Sequence, residues 1–131
     1  MSDRFRIEKA TMADAPVIQD MVNSFASLGE MLPRPLAEIY EHLRDFLVVR
    51  DNKRLVACAA LHIIWEDLAE VRSLAVLDTW QDKGVGALLV EACLDEARAL
   101  GIPTVFALTR QPSFFEKLGF HQADVAGLPR K

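Results

Sequence analysis

The run 68-LAEVRSLAVLDTWQDKGVGALLVEACLDEARAL-100 decides the fold, because it passes from strand to helix through a turn that holds two glycines. Leu68–Val76 reads as a strand, and Asp78-Thr79 opens the loop that carries Gly84 and Gly86. From Val85 onward apolar residues recur at 85, 88, 89, 92, 93, 97 and 100, which outlines one face of a long helix closed by Gly101. Thr104–Leu108 then reads as an apolar strand buried on both faces. Strand, glycine turn, helix and strand make a crossover unit, and such a unit forces its two strands to run parallel.

Working outward, Arg54–Ile64 and Phe46–Val49 read as two further strands, joined by the turn residues Asp51-Asn52-Lys53. With Leu68–Val76 they form an antiparallel meander. Upstream, Phe5–Lys9 alternates as a short strand, and Thr11-Met-Ala-Asp14 has the form of a capping box. A helix follows with Ile18, Met21, Val22 and Phe25 on one face, ending near Gly29. Pro35 starts a second helix whose stripe is Leu36, Ile39, Tyr40 and Leu43, so Tyr40 reads as core. Downstream, Ser113–Leu118 is predicted as a short helix stopped by Gly119, and Phe120–Val125 as a last strand. The predicted order is β-α-α-β-β-β-α-β-α-β, an α/β chain read as a single domain over residues 1–131.

Bulk properties narrow the function classes. Hydrophobic residues make up 51% and charged residues 26%, which is globular composition, and the net charge of −4 gives no support to a nucleic-acid partner. No apolar run approaches the roughly 18 residues a membrane helix needs, and the N-terminus has no signal-like apolar segment. Cys58 and Cys93 lack any metal-ligand spacing, so no metal is expected and a reducing cytoplasm is the expected compartment.

The glycine turn is where chemistry enters. A strand that feeds a helix N-terminus through glycines offers free main-chain N–H groups and the positive end of the helix dipole to an anion. Gly84 and Gly86 permit close approach, and Lys83 adds positive charge. The Gly-Lys-Ser/Thr ending of a nucleotide P-loop is missing, as are the third glycine and spacing of a dinucleotide fingerprint. A pyrophosphate site of another kind and a plain helix-entry loop both fit the turn taken alone.

The pattern Gln81-x-x-Gly84-x-Gly86, between a hydrophobic strand and a long amphipathic helix, resembles the cofactor motif of the GNAT acetyltransferase superfamily. Phe114-Phe-Glu-Lys-Leu-Gly-Phe120 resembles that superfamily's second signature, and with the element order the resemblance spans nearly the whole chain. The strings Val56-Ala-Cys-Ala-Ala-Leu61, Ala69–Val76, Leu108-Thr-Arg110 and Leu128-Pro129 are similar to the acetyltransferase domain of N-acetylglutamate synthases, which open arginine biosynthesis. The resemblance implies a mixed, mostly antiparallel sheet with a central parallel pair that splays, flanked by helices. It implies acetyl-CoA as co-substrate. The pyrophosphate would lie on the main chain of Gln81, Asp82, Lys83, Gly84, Val85, Gly86 and Ala87, and the pantetheine beside Leu74, Ala75 and Val76. The superfamily also continues into a seventh strand, which this chain would take from a partner, lack, or not need; a homodimer is compatible with that reading.

Acetyl transfer to an amine needs a base, a donor for the oxyanion and a partner for the departing thiolate. Glu70 is the candidate base, by its strand position and by the resemblance, and its neighbour Arg72 is placed to pair with it. A main-chain N–H near Leu74 or Ala75 would serve the oxyanion. Where the superfamily has a tyrosine for the thiolate, this sequence has Phe115, which cannot give a proton. The acceptor implied is a small amine, an amino acid and foremost glutamate, with Arg34 and Arg110 as carboxylate partners; another small amine, a protein N-terminus, or a non-catalytic acetyl-CoA-binding module are the alternatives. Ser113 would add a hydrogen bond or cap its helix, and Cys58 is grouped with these acceptor-side residues. A covalent route through Cys58 is disfavoured because it lies among alanines with no adjacent His or Lys. His62 and His121 have no visible partner and read as structural or surface residues.

Overall fold

A computed structural model describes residues 5–27, 33–109 and 111–122. Five strands lie in the order of the chain: β1 (Phe5–Lys9), β2 (Phe46–Asp51), β3 (Arg54–Trp65), β4 (Leu68–Val76) and β5 (Thr104–Phe106). The first four pair antiparallel with their sequence neighbours, and β5 joins β4 in parallel. The parallel pair is the consequence of the crossover helix α3 (Val85–Leu100). The β2–β3 hairpin turns at Asn52, whose φ of 61° is a left-handed conformation that asparagine tolerates better than most residues.

Helices cover both faces of the sheet. On one face α1 (Ala15–Ser27) and α2 (Leu36–Glu41) bury Ile18, Val22 and Ile39 against Val48, Cys58 and Ala60. On the other, α3 buries Val85, Leu89, Val90, Cys93 and Ala97 against Val49, Ala57, Ala59 and Val71. Alternation along β3 explains the split, since Ala57, Ala59 and Leu61 point to one core and Cys58 and Ala60 to the other.

The capping box forms as its residues predict. A 3₁₀ turn, Met12–Asp14, leads into α1, and Asp14 Oδ2 accepts from the Thr11 N–H at 2.7 Å. Asp14 does a second job that its motif does not announce. Arg50 on β2 donates to it as a fork, 2.9 Å to Oδ1 and 2.6 Å to Oδ2, which ties the start of α1 to the sheet. Burial pushes the Asp14 carboxyl up, but Arg50 and the Thr11 donors outweigh it and hold its pKa below the ordinary value.

The fold departs from the sequence expectations in four places. Leu88 and Leu100 are exposed, because α3 meets the sheet along the line Val85–Leu89–Cys93–Ala97 while Leu88 points off it and Leu100 lies in the last turn. β5 is three residues long and only partly buried, because a single pairing partner covers it among the described residues. Tyr40 is 39% exposed and is no part of the core; Ile39 takes the buried position of that helix. Phe120–Gln122 carries no strand, and the rest of that predicted strand lies outside the described residues.

Candidate active site

β4 and β5 are paired only at Leu68–Thr104, Ala69–Val105 and Glu70–Phe106. Beyond Glu70 the two strands part, and a cleft of about 530 Å³ opens between β4, the glycine turn and the segment after β5. The far side of that cleft is made by Leu108, Thr109, Gln111, and by Phe114 and Phe115 of α4 (Pro112–Glu116).

A bulge in β4 gives the cleft two chemically different halves. Cys58 pairs with Ala75 and Ala60 with Arg72, so the segment between them is one residue longer on β4 than on β3. Within it Ser73 has φ 58°, a left-handed conformation rare for a non-glycine residue. The extra residue exchanges the faces of the strand. Before it Ala69 and Val71 pack into the α3 core; after it Leu74 and Val76 pack there, and Ala75 turns to the α1–α2 core. Glu70 and Arg72 therefore look towards the α1–α2 side, and Leu74 and Val76 towards α3. Ser73 Oγ is buried and, among the described residues, has no hydrogen-bond partner.

The α3 half is built from main chain. Gly84 precedes the helix at φ 81°, a left-handed conformation that glycine adopts at least cost, and Asp82 is left-handed as well at 65°. Alternating conformations of this kind turn successive N–H groups into one concavity beside the helix N-terminus. A Cβ on Gly86 would stand 3.4 Å from Phe114 Cζ, so the missing side chain lets α4 close on the turn as well as opening the main chain. Gln81 braces the turn from its exposed side: its Nε2 donates to the Val76 carbonyl at 3.1 Å and to Asp78 Oδ1 at 3.3 Å. Gln81, Asp82, Gly84, Gly86 and Ala87 line the cleft with Leu74 and Val76. The Lys83 side chain is exposed and does not line it, and Val85 and Ala75 have their side chains in the two cores.

The other half is built from side chains of separate elements. Glu70 and Arg72 form an ion pair at 3.6 Å. Arg34 reaches the same wall from the segment before α2, its main-chain N–H held by Asn23 Oδ1 at 2.9 Å and its guanidinium 3.4 Å from Glu38. Burial first, then the like charge of Arg34, holds the Arg72 guanidinium below its ordinary pKa, against the pull of Glu70, Asp45 and Glu38. Two arginines thus share a partly buried wall, each paired with its own carboxylate, Arg34 with Glu38 and Arg72 with Glu70.

Other predicted positions lie elsewhere. Arg110 falls outside the described residues. Ser113 is exposed inside α4, and Gln111 occupies the N-cap position. Cys58 is fully buried, with its Sγ 3.5 Å from the Ser73 carbonyl and its thiol pushed up to about 12 by burial, conditions that oppose a thiolate nucleophile. Phe115 lines the cleft and packs edge-on to Phe114 and Phe120. His62 does have a partner, Asp45, whose Oδ2 is 2.7 Å from its Nδ1. Sequence reading named Arg72 only as a neighbour of Glu70; the two-residue spacing that puts both on one face of a strand was the available signal. Trp80, Thr109 and Phe114 also line the cleft; Phe114 opens the second signature and Thr109 lies in the Leu108-Thr-Arg110 string, but the sequence assigns neither a contact, and Trp80 lies in no motif. Among the described residues no helix is long and apolar enough to cross a membrane.

Comparison with known proteins agrees with this geometry. Residues 16–120 match the acetyltransferase (GNAT) family. An uncharacterized N-acetyltransferase of Chlorobaculum tepidum is 36% identical over 95% of this chain and 81% of its own. The amino-acid acetyltransferase of Mycobacterium tuberculosis is 32% identical over 94% and 71%. The crystal structure of N-acetylglutamate synthase from Neisseria gonorrhoeae, complexed with coenzyme A and N-acetyl-glutamate, superposes with a TM-score of 0.92 at 30% identity, covering 98% of this chain and 31% of that one.

Proposed function

This chain belongs to the acetyltransferase (GNAT) family, and we propose that its acceptor is the α-amine of a small dicarboxylic amino acid, L-glutamate first. The enzyme class follows from the family: it is an acetyl-CoA-dependent N-acetyltransferase, with acetyl-CoA as co-substrate. The single observation that carries the acceptor assignment is the pair of guanidiniums, Arg34 and Arg72, on the wall that also holds Glu70. An acceptor with carboxylates finds two guanidinium forks there and can displace Glu38 or Glu70 from one of them. The amino-acid acetyltransferases and the glutamate synthase among the relatives support the same choice.

In this reading the pyrophosphate rests on the main chain of Gln81–Ala87, and the pantetheine lies along Leu74–Val76, where β4 has parted from β5 and its main-chain groups face the cleft. The acceptor's carboxylate engages Arg72 and so competes for the guanidinium that Glu70 holds at 3.6 Å. Glu70, released from that pair, takes a proton from the ammonium, directly or through water, and the free amine attacks the thioester carbonyl. A main-chain N–H at the bulge, near Leu74 or Ala75, stabilises the oxyanion. The thiolate leaves beside Phe115, which gives it no proton, so the proton comes from the reacting ammonium or from water.

Steady-state assays of thiol release from acetyl-CoA across a panel of amino acids, dicarboxylates and diamines included, test the proposal. Glutamate or a close dicarboxylic analogue is expected to give the highest kcat/KM. Turnover restricted to cationic amines would overturn the acceptor assignment and leave the enzyme class standing.

A further inference from the structure

Beside the acceptor end of the cleft, His42, Asp45 and His62 bring two imidazoles and one carboxylate together, and we propose that they form a binding site for a divalent transition-metal ion of the zinc class. Each residue offers one ligand atom, and the three atoms lie within 4.8 Å of one another. Both Nδ1 atoms face the same carboxylate oxygen, His62 at 2.7 Å and His42 at 4.0 Å from Asp45 Oδ2. Zinc bonds to imidazole nitrogen and carboxylate oxygen are about 2.0–2.2 Å, so ligand atoms around a tetrahedral ion stand roughly 3.3–3.6 Å apart. The two observed separations bracket that value; a shift of Asp45 Oδ2 by roughly 0.6 Å from His62 towards His42 brings both into range, and the imidazole nitrogens, within 4.8 Å of each other, close the third by a small ring movement.

The arrangement is held by structure that does not depend on an ion. His42 ends α2, with its N–H donating to the Glu38 carbonyl at 3.1 Å, and the Asp45 N–H donates to the His42 carbonyl at 2.9 Å. One turn of chain therefore fixes two of the ligands. The third comes from β3, and the imidazoles of His42 and His62 pack edge-on with centroids 5.0 Å apart and planes at 89°. Two nitrogens and one oxygen suit zinc, nickel or copper better than magnesium or calcium, which prefer oxygen alone. Three protein ligands leave coordination positions free, and the side chains are 23–38% exposed, so water or a small anion completes the sphere. Arg34, Arg72 and the Glu38 carboxylate line a small cavity with His42 and Asp45, and the two guanidiniums favour an ion whose bonds to imidazole are strong over one held by charge alone.

The site stands independently of the acceptor assignment, and its test reads binding instead of turnover. Calorimetric titration of the purified chain with Zn²⁺ at neutral pH is expected to give one ion per chain. Co²⁺ in its place is expected to give the visible bands of a nitrogen- and oxygen-ligated ion. His62→Ala and His42→Ala should each weaken binding by more than the roughly 10–100-fold that loss of an outer-shell partner costs. His42 is the more exposed of the two imidazoles, so its variant separates loss of a ligand from loss of fold, with circular dichroism as the check. Binding unchanged in both variants, thiolate charge-transfer bands with Co²⁺, or affinity weaker than about 1 mM in the parent chain would each overturn the site.

Discussion

The two halves of the cleft are made in opposite ways. On the α3 side, recognition uses main chain: a left-handed Gly84, a bare Gly86 and the first turn of a long helix, all contiguous in sequence. On the α1–α2 side it uses side chains, and Arg34, Glu70 and Arg72 come from two segments separated by more than thirty residues. A contiguous main-chain site can be recognised from a short motif, because local conformation builds it. A convergent side-chain site exists only once the sheet has formed and the bulge at Ser73 has turned Glu70 and Arg72 towards Arg34.

The largest expected effect breaks the acceptor half at its base. Glu70→Gln is expected to lower kcat by about 10²–10⁴-fold, the range of a positioned general base, with coenzyme A affinity unchanged by calorimetry. A wild-type rate in that variant would remove Glu70 from the chemistry. Arg72→Ala should raise the KM for the amino acid by about 10–100-fold, the value of one or two hydrogen bonds to a charged group, again without a change in coenzyme affinity. If both affinities fall together, the division of the cleft is wrong.

The scaffold beneath both halves comes next. Asp14→Asn removes the charge that Arg50 holds and is expected to cost about 2–3 kcal/mol in chemical denaturation, less than the roughly 3–5 of a fully buried pair. The pH dependence carries its own sign. Because the folded-state pKa of Asp14 is depressed, its contribution is complete above the unfolded value of about 3.9 and disappears as pH falls through the folded one. The parent chain should therefore lose more stability than Asp14→Asn on acidification through that window, and parallel curves would contradict the ion pair.

Two smaller effects sharpen the main-chain half. Gly84→Ala forces a side chain into the left-handed region at about 1–2 kcal/mol, and should weaken coenzyme A binding by up to about tenfold while the amino-acid KM stays within twofold. Lys83→Ala is expected to change coenzyme affinity by less than about fivefold, and less still at high salt, because its side chain is exposed and off the cleft lining. A large, salt-insensitive loss would show that recognition there depends on that charge after all.

Much of the fold was legible because its signals are local. The capping box at Thr11–Asp14, the glycine turn and the boundaries of β4 and α3 follow from turn chemistry and periodicity alone. Three side chains depart for one reason, which is that an apolar residue need not be a buried one. Tyr40, Leu88 and Leu100 are apolar and in register with a buried stripe, yet the area actually covered is narrower than the stripe. His62 shows no partner in the sequence because Asp45 lies seventeen residues earlier on another element.

By itself, then, the sequence determined the crossover, the turn at Gln81–Gly86 and the presence of an arginine-flanked glutamate, since each depends on residues close along the chain. The tertiary structure alone decided where the strands part, which way Glu70 and Arg72 face, and that Arg72 shares the wall with Arg34. Sheet register and a single-residue bulge set those outcomes. A shift of one residue exchanges the two faces of a strand, and no local preference records it.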